Sequence, residues 1–283
     1  MRALAESGDD VLAFDISPTR KKLPCPYFMG DITDYLAVDR AFSEHRTEAA
    51  IHLAGQTGVA ASIDKPDDTI RSNVLGTFNI AHRTMKSNAK LLFASSREVY
   101  GEKPGFPTVE SASLAPVNVY GLSKMLAEET IRWFASSGGL RYCILRLTNV
   151  YGPGGDSYVV QKLVRRALSG DTIEIMGGNQ LMNFVHVTDV VEAFKIALRS
   201  KSSENQIFNV GSGETVTVRE LVNSILELSK RNIKVIEGPP PPSIVFNFSP
   251  DISLVQHLLG WTPRISLKDG IRGLIDSLVI AHS

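Results

Sequence analysis

The chain has 283 residues, of which 43% are hydrophobic and 21% charged, and its 30 basic residues balance 30 acidic ones. This composition is typical of a globular protein and leaves room for one large α/β domain or two smaller ones. A chain without net charge has no overall field to attract polyanions, which argues against nucleic acid or an acidic membrane surface as main partner.

No apolar run approaches the ~20 residues that a membrane helix needs. Only Cys25 and Cys143 are present, too few for a disulfide framework or a zinc site built on cysteines. The first residues lack the long apolar core of a secretory signal. We therefore expect a cytoplasmic protein that contains no metal.

Short apolar runs of strand length alternate with helix-like stretches through the first 210 residues or so. Helices are predicted over residues 35–45, 69–87, 119–136 and 159–169. The predicted strands cover residues 11–15, 49–55, 90–96, 141–147 and 206–211. Strands that are buried on both faces and alternate with helices predict an α/β fold with a parallel sheet.

Acidic, small or hydroxyl-bearing residues stand at or just after several strand ends. They are Asp15, Asp31, Ala54 and Gly55, Ser95 and Ser96, and Thr148 and Asn149. Parallel sheets bind their ligands at the carboxyl ends of the strands. We therefore expect a ligand site at this edge of the sheet.

From about residue 150 onward, glycine and proline runs at 152–155, 177–178 and 239–242 interrupt the pattern, and no run of βα units is evident. Residues 1–150 are therefore predicted to form the first domain, to which 184–210 return. Residues 151–283 are predicted to form a smaller lobe that binds the substrate.

Tyr120 and Lys124 lie four residues apart near the start of a predicted helix, and so share one face. A tyrosine hydroxyl with its ordinary pKa of ~10 is a poor base unless a neighbouring cation stabilises the phenolate, as Lys124 could. This spacing occurs often by chance, so the pair alone favours a surface tyrosine followed by a solvated lysine. Ser96 strengthens the catalytic interpretation, because its hydroxyl could hydrogen-bond the substrate oxygen that Tyr120 deprotonates.

With these residues the sequence resembles the extended short-chain dehydrogenase/reductase family, specifically its NAD-dependent nucleotide-sugar epimerases and dehydratases. The matching segments follow the family's order along essentially the whole chain: HLAG at 52–55, NVLGT at 73–77, SSREVYG at 95–101, YGLSK at 120–124, RLTNVYGP at 146–153, FVHVTDV at 184–190, FNVGSG at 208–213 and LGWTP at 259–263. The resemblance implies a Rossmann-type, doubly wound parallel sheet that binds NAD, with a smaller C-terminal substrate lobe.

The resemblance also implies roles for individual residues. Tyr120 would be the catalytic base or acid, Lys124 would lower its pKa and hold the nicotinamide ribose, and Ser96 would complete the catalytic group. Asn149 would contact the nucleotide-sugar, as would Ser96 and Tyr120. The remaining implied cofactor residues are Asp15 at the adenosine ribose, Asp31 and Ile32 at the adenine, Leu53, Ala54 and Gly55 along the pyrophosphate and ribose, and Asn73, which would orient the active-site helix.

Two features bear on the cofactor. The carboxylate of Asp15 would repel the 2′-phosphate of NADP and so favours NAD, although Arg20, Lys21 and Lys22 could reach such a phosphate. The family fold opens with a strand and a Gly-x-x-Gly-x-x-Gly turn, whereas residues 2–8 resemble the last turns of the helix that follows. Two interpretations are open: either the start codon is misassigned, or the chain is natural and binds NAD weakly or not at all.

The reaction expected from the resemblance is epimerisation of a nucleotide-sugar at C4 through a transient 4-keto intermediate. One alternative is a 4,6-dehydratase or related keto-sugar enzyme with Glu98 as base, although Glu98 could equally be an exposed structural residue paired with Arg97. Another is a non-catalytic nucleotide-binding member of the family. Met182 stands where many relatives carry a phosphate-binding arginine, and Arg165, Arg166 or Arg264 could substitute for it. The resemblance also implies a homodimer formed through the helices at 69–87 and 119–136.

Overall fold

A four-stranded sheet forms the centre of the first half of the fold. In the computed structural model, which describes residues 1–18, 22–102, 106–154, 158–239 and 247–280, its order is β3 (Ala49–His52), β4 (Lys90–Ser96), β5 (Arg141–Leu147) and β9 (Gln206–Val210). Strands β3 and β4 are parallel, with Ala49 opposite Lys90. A separate parallel pair is formed by β1 (Ala13–Asp15) and β2 (Tyr27–Met29).

Two compact units divide the chain. The first comprises Met1–Gly101, Leu114–Arg146 and Phe194–Phe208, and the second comprises Glu102–Ser113, Leu147–Ala193 and Asn209–Ser283.

The helices of the first unit follow its strands in sequence. They are α1 (Arg2–Glu6), α2 (Tyr35–Glu44), α3 (Val59–Asp64), α4 (Pro66–Ile70), α5 (Gly76–Lys86) and α6 (Val119–Gly138), and a π-helical turn at Arg71–Leu75 joins α4 to α5. Side chains cap two of these helices: Asp34 accepts a hydrogen bond from the amide of Leu36, and Asn118 accepts one from the amide of Gly121.

The core of the first unit lies between the sheet and its helices. Strand β4 is buried at six of its seven positions, which is typical of a strand covered on both faces. Its Leu91 and Phe93 join a cluster of buried residues from β5, α5 and α6 that includes Ile80, Ala127, Ile131, Phe134 and Ile144.

The second unit combines two small sheets with further helices. Strand β8 (Leu181–His186) lies between β6 (Asn149–Tyr151), to which it is parallel, and β10 (Thr215–Thr217), to which it is antiparallel. Strands β7 (Ile173–Met176) and β11 (Val235–Gly238) form a parallel pair. The helices are α7 (Val159–Ser169), α8 (Val187–Arg199), which continues into the first unit, α9 (Val218–Ser229), α10 (Ser253–Leu259) and α11 (Leu267–Ile280).

The predicted α/β class and parallel sheet are confirmed. The predicted bounds of β4, β5 and α7 agree with the structure. The single helix predicted over 69–87 is wrong, because this region begins in α4 and passes through the π-helical turn before α5. The second half does contain alternating strands and helices, but its strands are too short for their periodicity to be distinct. None of the helices in the described ranges is both long and apolar enough to cross a membrane.

Candidate active site

Helix α6 brings Tyr120 and Lys124 to the end of β4. Tyr120 is half-buried in the first turn, and Lys124, one turn later, is buried with 4% of its surface exposed. The ammonium nitrogen of Lys124 donates a hydrogen bond of 3.0 Å to the carbonyl of Ala94, two residues before Ser96. The same nitrogen lies 4.7 Å from the ring centre of Phe93 and 6.0 Å from that of Tyr120. The helix and the strand end are therefore joined by the lysine itself.

The surroundings of Lys124 weaken its hold on the proton. Burial lowers its pKa from 10.5 to about 8, while the carboxylate of Glu128 acts in the opposite direction. At neutral pH the side chain still carries its charge beside the tyrosine ring. This is the cation that stabilisation of a Tyr120 phenolate requires.

Ser96 is the last residue of β4 and is also buried. Its hydroxyl oxygen caps the short 3₁₀ turn Arg97–Val99 by accepting a 3.2 Å hydrogen bond from the amide of Glu98. The turn places the serine hydroxyl and the Glu98 backbone in direct contact.

Both carboxylate oxygens of Glu98 are engaged. Nη2 of Arg97 lies 2.9 Å from Oε1, and Nδ2 of Asn118 donates a 2.9 Å hydrogen bond to Oε2. The side chains of Arg97 and Glu98 are only 6% and 8% exposed. The expected pairing with Arg97 is thus present, but the pair is buried rather than exposed.

A second buried ion pair lies behind the site and was missed by the sequence reasoning. Arg146 on β5 contacts both carboxylate oxygens of Glu128, with its shortest hydrogen bond at 2.7 Å, and donates another of 2.9 Å to the hydroxyl of Tyr100. Ser95 donates a hydrogen bond to the same carboxylate. Burial alone would lower the pKa of Arg146, but the hydrogen bonds and charge of Glu128 raise it overall. The available signals were Glu128 one turn after Lys124 and Arg146 at the start of its motif.

Asn73 connects the loop after β3 to α6. Its side-chain amide accepts a 2.7 Å hydrogen bond from the amide of Gln56 and donates to the Gln56 carbonyl and, at 2.8 Å, to the Ser123 hydroxyl. Gly55 has a φ of +143°, and a Cβ there would lie 2.5 Å from the Asn73 side-chain oxygen. Only glycine suits this approach of the backbone.

The other predicted cofactor residues of the first unit lie where strands end. Asp15 ends β1, is exposed, and accepts a 2.8 Å hydrogen bond from the amide of Ser17. Asp31 accepts one from Thr33 at the same distance, and Ile32 is buried. Leu53 and Ala54 follow β3, the former with 58% of its surface exposed. Of the cations that could meet a 2′-phosphate, Lys22 is exposed, and Arg20 and Lys21 lie outside the described residues.

Asn149 belongs to the second unit. It starts β6, and its side-chain amide donates a 2.9 Å hydrogen bond to the carbonyl of Asn183. Arg165 and Arg166 line a surface cavity of about 650 Å³ in this unit together with Arg231. The backbone amide of Arg264 donates to Asp189.

The histidine of the first motif has a structural partner. His52 is buried, its Nε2 lies 3.0 Å from the hydroxyl of Thr77, and burial lowers its pKa to about 3, with a smaller effect of Lys124 in the same direction. Within the described part of the chain, no three His, Cys, Asp or Glu side chains come together as they would around a metal ion.

This fold and these side chains define a class of α/β proteins in which a tyrosine–lysine pair on one helix meets the end of a parallel strand that carries a serine. The model of the NAD dependent epimerase/dehydratase family matches residues 1–211, and the chain belongs to this family, as an enzyme of that type.

Individual relatives agree with this assignment. A putative UDP-glucose 4-epimerase of Methanocaldococcus jannaschii is 34% identical over 96% of this chain and 92% of its own length. The crystal structure of UDP-glucose 4-epimerase from Thermotoga maritima with UDP-glucose has a TM-score of 0.93 and 30% identity, covering 100% of this chain and 94% of that one. UDP-glucose 4-epimerase from Thermus thermophilus, in complex with NAD, has a TM-score of 0.89 and 31% identity, covering 97% and 93%.

Proposed function

We propose that the chain inverts C4 of a UDP-sugar in an NAD-dependent reaction through a transient 4-keto intermediate, with UDP-glucose and UDP-galactose as the pair to test. The observation that carries the proposal is the buried Lys124, which lies one turn after Tyr120 and is hydrogen-bonded to the strand that ends in Ser96. UDP is proposed as the nucleotide and NAD as the cofactor because the relatives are named UDP-glucose 4-epimerases, one of them solved with UDP-glucose and another with NAD.

The residues of the first unit fit NAD. The exposed carboxylate of Asp15 can accept hydrogen bonds from ribose hydroxyls, and Gly55, which has no side chain, allows the backbone after β3 to lie close to Asn73. We propose that Asp31 and Ile32 contact the adenine, and that the backbone of Leu53 and Ala54 lies along the pyrophosphate and ribose. When bound, NAD supplies the acceptor for the hydride that leaves C4 and later returns to the opposite face.

The chain's own residues move the proton. Tyr120 takes the proton of the C4 hydroxyl as the carbonyl forms, and returns it when the alcohol is restored. The ammonium of Lys124 stabilises the phenolate during this step. Ser96 hydrogen-bonds the same substrate oxygen and holds it next to the tyrosine. Because the reaction begins and ends with an alcohol, no external reductant is consumed.

An activity assay tests the proposal. The purified chain with added NAD should convert UDP-glucose to UDP-galactose. Chromatography of the nucleotide-sugars measures this conversion. Tyr120→Phe should lose about 100-fold to 10,000-fold in kcat, the usual range for a positioned acid–base group. Tyr35→Phe, on α2, is the matched control and should retain activity. Equal activity of the two variants would refute the role of Tyr120.

The second unit, to which Asn149 belongs, is proposed to hold the nucleotide-sugar with Asn149 among its contacts. Asn149→Ala should raise KM for the UDP-sugar by about tenfold, as expected for the loss of one hydrogen bond to a charged or polar ligand. The affinity for NAD should stay unchanged. Titration of each ligand separately checks both expectations.

A homodimer is proposed through α5 and α6. These helices pack through the rings of Phe78 and Phe134, whose centres lie 5.1 Å apart. Large apolar side chains are exposed on these helices: Phe78, Leu122, Leu126 and Trp133, the last 58% exposed, and Leu75 directly precedes α5. A patch of this kind is typical of a protein–protein interface.

Light scattering after size exclusion tests the dimer. The chain should elute with twice its monomer mass, and Trp133→Glu should shift it to the monomer. Leu36→Glu, which changes another exposed apolar residue on α2, should leave the dimer intact. A monomeric parent chain would refute the proposed dimer.

A cytoplasmic location is also proposed, since Cys25 and Cys143 are free thiols. Cell fractionation would test it.

A further inference from the structure

A continuous set of hydrogen bonds runs from the serine to the helix of the tyrosine. The hydroxyl of Ser96 accepts from the amide of Glu98, and the carboxylate of Glu98 accepts from the side chain of Asn118. The other end of that side chain accepts a 2.8 Å hydrogen bond from the amide of Gly121. Since Gly121 directly follows Tyr120, three hydrogen bonds connect the two proposed catalytic hydroxyl residues.

The backbone at this junction is packed tightly. A Cβ on Gly121 would lie 2.5 Å from the carbonyl oxygen of Glu98. The amide of Ala115 also donates a 3.2 Å hydrogen bond to the carbonyl of Val99. The turn after β4 and the start of α6 are therefore held at a short, defined separation.

The charge at the junction is balanced locally. Glu98 is buried, and the guanidinium of Arg97 lies 2.9 Å from its Oε1, while Asn118 donates to its Oε2. Removing the charge of Glu98 would leave the Arg97 cation buried next to it, which is costly. Both carboxylate oxygens of Glu98 are engaged by donors of the protein, which hold the carboxylate in place.

We propose that Glu98 is a positioning residue, and that together with Arg97 and Asn118 it fixes Ser96 relative to Tyr120 for proton transfer at C4. This inference rests on the proposed function. It gives the carboxylate a role in epimerisation that differs from that of the base in a dehydratase reaction.

Two variants test the connection from opposite ends. Glu98→Gln removes the charge, whereas Asn118→Ser keeps an oxygen that can cap α6 but is too short to reach Glu98. Each should lower kcat for epimerisation by about 10- to 100-fold, with KM within about twofold, because misplaced catalytic groups reduce the rate of the chemical step. The double variant should be no slower than the slower single one, since both changes break the same connection. Asn209→Ser, which removes a buried asparagine of the second unit, is the control.

Hydrogen–deuterium exchange gives a readout that does not depend on turnover. The backbone of residues 119–122 should exchange about three- to tenfold faster in both variants, because in each the residue that caps α6 loses or weakens its hydrogen bond to position 98. Alkaline detection of a 4-keto-6-deoxy-sugar reports water elimination by the parent chain, and none is expected.

The outcomes separate the two proposals. Parent-like kcat and exchange in both variants would overturn the positioning role, as would an elimination product that Glu98→Gln alone abolishes. If the parent chain does not epimerise, the proposed function fails, and the exchange rates alone decide on positioning: faster exchange supports it and unchanged exchange overturns it.

Discussion

Replacing Lys124 by methionine should change how the stability of the chain depends on pH. In the folded chain burial lowers the pKa of Lys124 to about 8, whereas the ordinary value of 10.5 applies to the unfolded chain. Between these two values the unfolded chain binds more protons than the folded one, so stability rises as pH rises. A tenfold change in proton affinity corresponds to about 1.36 kcal/mol, so the full effect is roughly 3 kcal/mol.

The effect of Lys124 on the free energy of unfolding has a defined sign and a defined pH range. Below pH 8 the folded chain bears the whole cost of a buried ammonium, and above about pH 10 this cost is largely relieved. Urea unfolding at pH 7, 8, 9 and 10 measures it. From pH 7 to 10 the parent should gain roughly 2 to 3 kcal/mol in unfolding free energy relative to Lys124→Met. The comparison cancels all groups that titrate in both proteins.

The matched control is Lys162→Met, which removes an exposed lysine from α7. Its unfolding free energy should follow that of the parent at each pH. Parallel curves for the parent and Lys124→Met, within about 0.5 kcal/mol, would refute the reasoning. They would show that the Lys124 ammonium is solvated in the folded chain despite its contacts with Ala94 and Phe93.

Three further changes have defined outcomes in unfolding experiments. Gly55→Ala should cost about 1–3 kcal/mol, because its φ is +143° and the new Cβ would meet a buried amide oxygen at 2.5 Å. Gly213→Ala, where nothing lies within 4 Å, should be nearly neutral. Glu128→Gln should cost about 3–5 kcal/mol by leaving the Arg146 cation buried without its counter-charge, and adding Arg146→Met should recover most of that. His52 has a folded pKa of about 3, so its contribution is complete above its ordinary value of 6.5 and is lost as pH falls toward 3, and His52→Gln should flatten this acid limb.

Each of these three predictions can be contradicted by a specific result. Equal losses at the two glycines would show that the space next to Gly55 is not limiting. A double variant at Glu128 and Arg146 as unstable as the single one would exclude an unpaired charge as the cause. An unchanged acid limb in His52→Gln would mean that this imidazole gains a proton without unfolding of the chain.

The parts of the fold that could be predicted depend on local pattern. Strand β4 contains a continuous apolar run at 91–94, because both its faces are covered, and such a run is visible in a short sequence window. Tyr120 and Lys124 are four residues apart, so helix geometry alone places them on one face. The parallel class follows from the alternation of strands and helices, which is also a local property.

The parts that could not be predicted depend on contacts between distant residues. Asn118 contacts Glu98 across 20 residues, and Arg146 contacts Glu128 across 18. Polar residues at such separations are common in any sequence, so neither spacing indicates a contact. The parallel pair of β7 and β11 joins strands of four residues from different parts of the chain. At that length alternation of polar and apolar residues is indistinguishable from chance.

The π-helical turn at Arg71–Leu75 gives this region an unusual sensitivity to chain length. An α-helix advances by about 100° for each residue, and a π turn holds one residue more than the α-helical turn in its place. Because the wider turn absorbs this extra residue, deleting one residue between 71 and 75 would allow a regular helix from α4 into α5 without rotating one relative to the other. The side chains within the turn would change direction, and Asn73, which contacts both Gln56 and Ser123, is one of them. The number of residues in this turn, as well as their identity, therefore matters for the contacts of Asn73.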